Sequence, residues 1–187
     1  MKLNIVKAIA IKFFISICLC FLFVLVQGQE LKPEIINPYK SIEISNVRAI
    51  GDKQTGNLTI SIDFKNMYTK SGEFSILCGP FGDFGITDTL GKKYKVFTYN
   101  KYQRTNVGYA EISSIQFGNV KPNDFNLMEV PFKPGEINTL TLKLNKINKQ
   151  TNYITDVHVS AEFSLESVHV VTKSDMMIIK NIRVEWK

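Results

Sequence analysis

His158 and His169 are the only imidazoles in this 187-residue chain, so histidine acid–base chemistry, or a zinc centre with an imidazole ligand, would have to run through one of them. His158 lies in the alternating string Val157-His158-Val159-Ser160-Ala161-Glu162-Phe163-Ser164-Leu165-Glu166 and shares a polar face with Ser160, Glu162, Ser164 and Glu166. His158 and Glu162 point the same way, but a zinc centre needs three or four ligands converging at about 2.0–2.3 Å, and no second imidazole is near in sequence. The face reads as a solvated sheet surface, and His169, between Val168 and Val170, reads the same way. Nucleophilic catalysis has equally little to work with. The chain has no Gly-x-Ser-x-Gly elbow, and Cys78 has no histidine near it in sequence. Nothing singles out two carboxylates as a glycosidase pair. The expectation is a protein with no catalytic residues, no metal ligands and no cofactor.

Two further segments hold residues of the right types. Gly79-Pro80-Phe81-Gly82-Asp83-Phe84-Gly85-Ile86-Thr87-Asp88 offers Asp83 and Asp88 to calcium. A calcium loop supplies three or more closely spaced oxygen side chains, so this segment reads as a glycine-rich loop. The second is aromatic and basic. Tyr94, Phe97, Tyr99, Tyr102 and Tyr109 fall within 16 residues, interleaved with Lys92, Lys93, Lys95, Lys101 and Arg104. Rings give a large contact area at low entropic cost, which suits stacking on a sugar or packing on a protein. The candidate binding patch is therefore Tyr99, Tyr102 and Tyr109, with Lys101 and Arg104 at its rim. The competing expectation is that half of these rings are core and the tyrosines cap strand ends.

The elements that would carry such a patch follow from patterning. Residues 1–28 read as a cleavable export signal. Lys2, Lys7 and Lys12 form a positive n-region, and an apolar run of 14 residues, Phe13 to Val26, follows with Ser16 its only polar member. Val26 and Gly28 suit the −3 and −1 positions of a signal peptidase, which sets the new N-terminus at Gln29. The run is shorter than the ~20 residues a spanning helix needs, so no membrane span is expected after cleavage. Ile17 and Leu19 are too large to precede a lipid-attachment cysteine at Cys18 or Cys20. Those two cysteines leave with the signal, so Cys78 alone remains and no internal disulfide can form. The string Phe74-Ser75-Ile76-Leu77-Cys78 points Cys78 to the apolar face, as a small buried hydrophobe.

The signal holds three lysines and no acid, so the remainder has 20 basic against 17 acidic side chains. That mild surplus argues against a nucleic-acid partner. Residues 29–40, with Pro33 and Pro38, read as an extended arm. From 41 to 187 the period is two. Leu58, Ile60, Ile62 and Phe64 alternate with Thr59, Ser61, Asp63 and Lys65 after a glycine-bracketed loop, Gly51 to Gly56, that closes a hairpin. Leu140, Leu142 and Leu144 repeat the pattern, as do Val157 to Leu165 and Ile182, Val184 and Trp186. Lys93–Tyr99, Tyr109–Phe117 and Leu127–Phe132 are weaker strand candidates. Eight or nine strands, each with one apolar and one wet face, favour an all-β, antiparallel two-sheet β-sandwich over residues 41–187. Ile60, Ile62, Leu142, Val159, Phe163 and Val184 are its expected core.

The strings Ile60-Ser61-Ile62-Asp63-Phe64-Lys65-Asn66 and Val130-Pro131-Phe132-Lys133-Pro134-Gly135-Glu136, the latter leading into the strand Leu140–Leu144, carry a resemblance. The layout resembles the immunoglobulin-like (telokin-like) β-sandwich modules of exported bacterial proteins. The resemblance implies a sandwich fold and transfers no activity, because such modules share none. The expected function is an exported, non-catalytic binding or structural protein of the cell envelope or extracellular space, periplasmic or extracellular, with a protein or glycan partner at the cell surface. The alternatives are a small outer-membrane β-barrel and an enzyme whose residues meet only in the folded chain.

Overall fold

A computed structural model describes residues 31–78, 84–95, 98–100, 105–107, 112–123, 127–165 and 175–187. The described residues form strands and turns, with no helix among them. The strands are β1 (Glu34–Ile36), β2 (Ile42–Gly51), β3 (Leu58–Asn66), β4 (Gly72–Leu77), β5 (Gly85–Asp88), β6 (Lys93–Lys95) and β7 (Thr98–Asn100), then β8 (Thr105–Val107), β9 (Ile112–Phe117), β10 (Leu127–Phe132), β11 (Ile137–Leu144), β12 (Tyr153–Leu165) and β13 (Asp175–Trp186). The chain divides into two units, Met1–Leu31 and Lys32–Lys187, and all thirteen strands belong to the second.

Eleven strands share one hydrogen-bonded sheet with the order β10-β4-β12-β13-β2-β3-β11-β9, to which β1 adds on β13 and β5 and β6 add on β12. Almost every pairing is antiparallel; β13 with β2 is parallel. The sheet folds back on itself. Phe64 of β3 lies 5.6 Å from Phe74 of β4, centroid to centroid, although three strands separate them along the sheet order. Phe117 of β9 meets the same ring at 5.4 Å. The main core is thus enclosed by one continuous sheet that nearly closes on itself, and not by the two separate sheets expected. The end strands β9 and β10 come close without pairing among the described residues.

β13 makes the fold continuous. Its first part pairs with β12 on one edge and β1 on the other, where Glu34 opposes Lys180. From Val184 onward the second edge belongs to β2. Asn181 lies between these partners in the left-handed region, at φ 58°, a conformation that asparagine tolerates better than most residues. The buried positions change phase there, from Met177 and Ile179 to Ile182 and Val184. β12 changes phase with it, from Ile154 to Val157 and Val159, so the two strands keep one register through the change.

The expected core is largely present. Ile60, Ile62, Leu142 and Val159 are fully buried and Val184 nearly so, whereas Phe163 is only partly buried against the cluster. The outward positions of β3 and β11 are Thr59, Ser61, Asp63, Lys65, Thr139, Thr141 and Lys143. A lipid-spanning barrel needs an apolar exterior, and these strands carry all their apolar side chains inside except Ile137, the exposed first residue of β11. Part of the arm expected over residues 29–40 is β1, laid against β13, and the Tyr39 hydroxyl donates to the Ala161 carbonyl.

Candidate binding surface

The hairpin β7–β8 is where the sequence concentrates aromatic and basic residues, and it forms its own two-stranded sheet. Thr98 opposes Val107, Tyr99 opposes Asn106 and Asn100 opposes Thr105. The backbone of Tyr99 is therefore on a strand. Lys101, Tyr102, Arg104 and Tyr109 lie outside the described residues, as do Phe97, Asp83 and His169.

Tyr94 belongs to the core and not to a surface. It is 1 % exposed, and its hydroxyl donates to Asp88 Oδ2 at 2.8 Å. Asp88, the second of the two aspartates considered for calcium, is itself buried. Its Oδ1 accepts the Leu90 and Lys92 N–H groups, both at 2.9 Å. The carboxylate thereby closes the turn from β5 to β6 and anchors the tyrosine that follows it. Lys92 Nζ stands 4.9 Å from the Tyr94 ring centroid, a cation–π contact that spans the same turn. Asp88 and Tyr94 are thus one buried unit.

The other candidates are likewise occupied by structure. His158 is half-buried on β12, opposite Ile178, and among the described residues no three His, Cys, Asp or Glu side chains gather as a metal site would require. Asp63 accepts from Thr139 Oγ1 at 2.6 Å and from Asn46 Nδ2 at 2.9 Å. A shallow open depression of about 520 Å³ lies over the β2–β3 hairpin, lined by Ile50, Asp52, Gln54, Asn57, Thr59 and Lys187. Its one carboxylate, Asp52, accepts the Thr55 hydroxyl at 2.6 Å and the Gln54 N–H at 2.7 Å. The Thr55 hydroxyl first, then the Gln54 N–H, hold the Asp52 carboxyl below its ordinary value. A depressed folded pKa means that this turn's stabilisation is present at neutral pH and fades as pH falls through the folded value.

Cys78 is buried, as its place in the alternating string implied, and burial pushes its thiol up to about 12. The thiolate is the reactive form, so the folded protein should resist a disulfide reagent at pH 8. In residues 29–187, where Cys78 is the one cysteine, that thiol should react at once after unfolding in guanidinium. Rapid labelling of the native protein would show that β4 opens locally around Cys78.

No family model matches the chain, and a search of curated proteins found no match. Solved structures with partial similarity include the periplasmic chaperone SfaE, at 13% identity over 78% of this chain with a TM-score of 0.33. This chain spans little more than half of that one, 56%. The CooA pilin subunit from enterotoxigenic Escherichia coli gives 10% identity, 79% and 97% coverage and a TM-score of 0.29. A collagen-binding domain from a Staphylococcus aureus adhesin gives 10%, 80% and 99%, with a TM-score of 0.28. Scores this low carry no inference about what this chain does.

Proposed function

We propose that this chain is an exported, non-catalytic β-sandwich protein that serves as a binding or structural component of the cell envelope or extracellular space. It recognises a protein or glycan through the segment that carries Tyr99, Lys101, Tyr102, Arg104 and Tyr109. The observation that supports this reading is a division of labour. The polar clusters of the main sheet, around Asp52, Asp63 and Asp88, are spent on turns and cross-strand bonds. β7 and β8 pair only with each other among the described residues, and the sequence around them holds the densest mixture of tyrosine and basic side chains. Export rests on the n-region lysines and the apolar run that follows them.

The test has two arms. Mass spectrometry of the exported chain should find Gln29 at its N-terminus, and an intact Met1 would refute export by signal cleavage. On an array of neutral and acidic glycans, residues 29–187 should be retained by a subset of the glycans. Tyr99→Ala with Tyr102→Ala should lower that retention about tenfold, as expected for losing two stacked rings, at an unchanged melting temperature. A double variant that unfolds would place those rings in the core and sink the binding patch.

A further inference from the structure

Three connections meet at one end of the sheet, and Asn66 with the next residue, Met67, ties them together. Asn66 is fully buried. Its side-chain amide donates to the carbonyls of Phe132 at 2.8 Å and Lys70 at 3.3 Å, and its Oδ1 accepts the Tyr68 N–H at 2.8 Å. Its backbone N–H donates to Glu136, its carbonyl accepts from Gly135, and the next N–H, of Met67, donates to Ser41. The turns 39–41, 67–71 and 133–136 are thereby fixed to one another. Yet this well-anchored end leaves large apolar side chains in water: Met67 is 52 % exposed, Tyr68 39 % and Ile137, the first residue of β11, 54 %. Ile137 opposes Lys65, next to Asn66. Three of the eight large exposed apolar residues among those described therefore gather here, held outward by a pinned backbone.

The same turns are basic. Lys40, Lys70 and Lys133 are exposed, against the single acid Glu136, whose carboxylate accepts the Lys133 N–H at 2.8 Å. Lys65 and Glu43 face each other across β2 and β3 and offset one another; Glu73, exposed just inside β4, is the remaining acid nearby. Apolar side chains on turn tips, with lysines beside them, match an interface that is apolar beneath and negative on top. Turn tips can enter a fluid layer without a partner shaped to receive them.

We propose that this end of the sheet docks peripherally on a membrane surface of anionic lipid. Met67, Tyr68 and Ile137 enter the headgroup region, and Lys40, Lys70 and Lys133 lie against the phosphates. The surface is distinct from the β7–β8 segment, and the inference does not depend on the reading given for that segment.

Residues 29–187, which contain the whole core, should co-sediment with phosphatidylcholine vesicles containing phosphatidylglycerol but not with pure phosphatidylcholine. Added salt should weaken the association. Lys70→Glu with Lys133→Glu should reduce binding by about 25-fold or more, at about fivefold for each lysine lost near the surface. Met67→Asp with Ile137→Asp should reduce it by at least about tenfold, and Lys149→Glu, beside the hairpin at the other end of β2 and β3, should leave it unchanged. Melting temperatures should match the parent, because every substituted side chain is exposed. Equal binding to both vesicle types, no sedimentation, or indifference to the paired substitutions would overturn the proposal. So would displacement by soluble polyglutamate with no requirement for apolar Met67 and Ile137, which would mark the end as a site for an acidic protein.

Discussion

Replacing Phe74 by alanine is expected to cost roughly 3–5 kcal/mol, the range for truncating a fully buried phenylalanine whose neighbours cannot collapse into the space. Phe74 is fully buried on β4, and Phe64, Phe117, Phe132 and Phe163 surround it at centroid distances of 5.4–6.5 Å. Those rings come from β3, β9, β10 and β12, so this one side chain touches both halves of the folded sheet. The backbones that carry them are held in the hydrogen-bonded ladder, which limits how far they can move inward. At about 2–4 °C per kcal/mol for a domain of this size, the melting temperature should fall by roughly 6–20 °C. Phe163→Ala should cost clearly less, since Phe163 is only partly buried at the edge of the cluster. Equal losses at the two positions, read from urea melts with matched m-values, would show that the cluster is not centred on Phe74.

Asp88→Ala should have the second-largest effect, roughly 2–5 kcal/mol, because it leaves the Tyr94 hydroxyl without its acceptor in the core and removes the acceptor for two backbone N–H groups. The hydroxyl cannot turn to water, since Tyr94 is almost wholly enclosed. Asp88→Asn keeps an oxygen for the turn N–H groups and a polar partner for the tyrosine, and should cost only about 1 kcal/mol. Tyr94→Phe keeps the ring in the core but takes the hydroxyl donor from the buried Asp88 Oδ2, and should cost about 1–3 kcal/mol. If Asp88→Ala and Asp88→Asn destabilise equally, charge and not acceptor geometry is what the turn needs. A loss below about 0.5 kcal/mol for Asp88→Ala would show that the turn is held by its backbone alone.

The strands that the sequence displays most openly are those with one wet face. In β3 and β11 every outward position except Ile137, at the start of β11, is polar, so alternation locates both strands and their buried side chains. β13 begins Asp175-Met176-Met177-Ile178-Ile179, where four successive apolar residues hide the period. The phase shift at Asn181 depends on which strand pairs with which edge, and periodicity carries no record of that. Phe163 matched the inward set of β12, but it sits near the strand's end, where less of the fold covers it. Tyr94 was grouped with its aromatic neighbours by proximity in sequence. The better signal was Asp88-Thr89-Leu90-Gly91, a carboxylate followed by a glycine turn, which marks an acceptor able to close the loop and reach a residue just beyond it. Asn66 ends its strand as a polar residue, and its five hydrogen bonds, to the end of β10 and to two turns, become visible only when distant segments are brought together.

The seat of β13 has a kinetic consequence. It is flanked by β12 on one side and by β1 and β2 on the other, so strands from the two ends of the sequence must meet before the sheet is complete. Such a chain has high contact order, and the entropy of closing a loop of nearly its full length precedes the reward of the final pairing. Hairpins such as β2–β3 can form early and locally. The two halves of the core join only when the last strand arrives, so the molecule should fold slowly and lose its cooperative transition altogether if residues 175–187 are deleted.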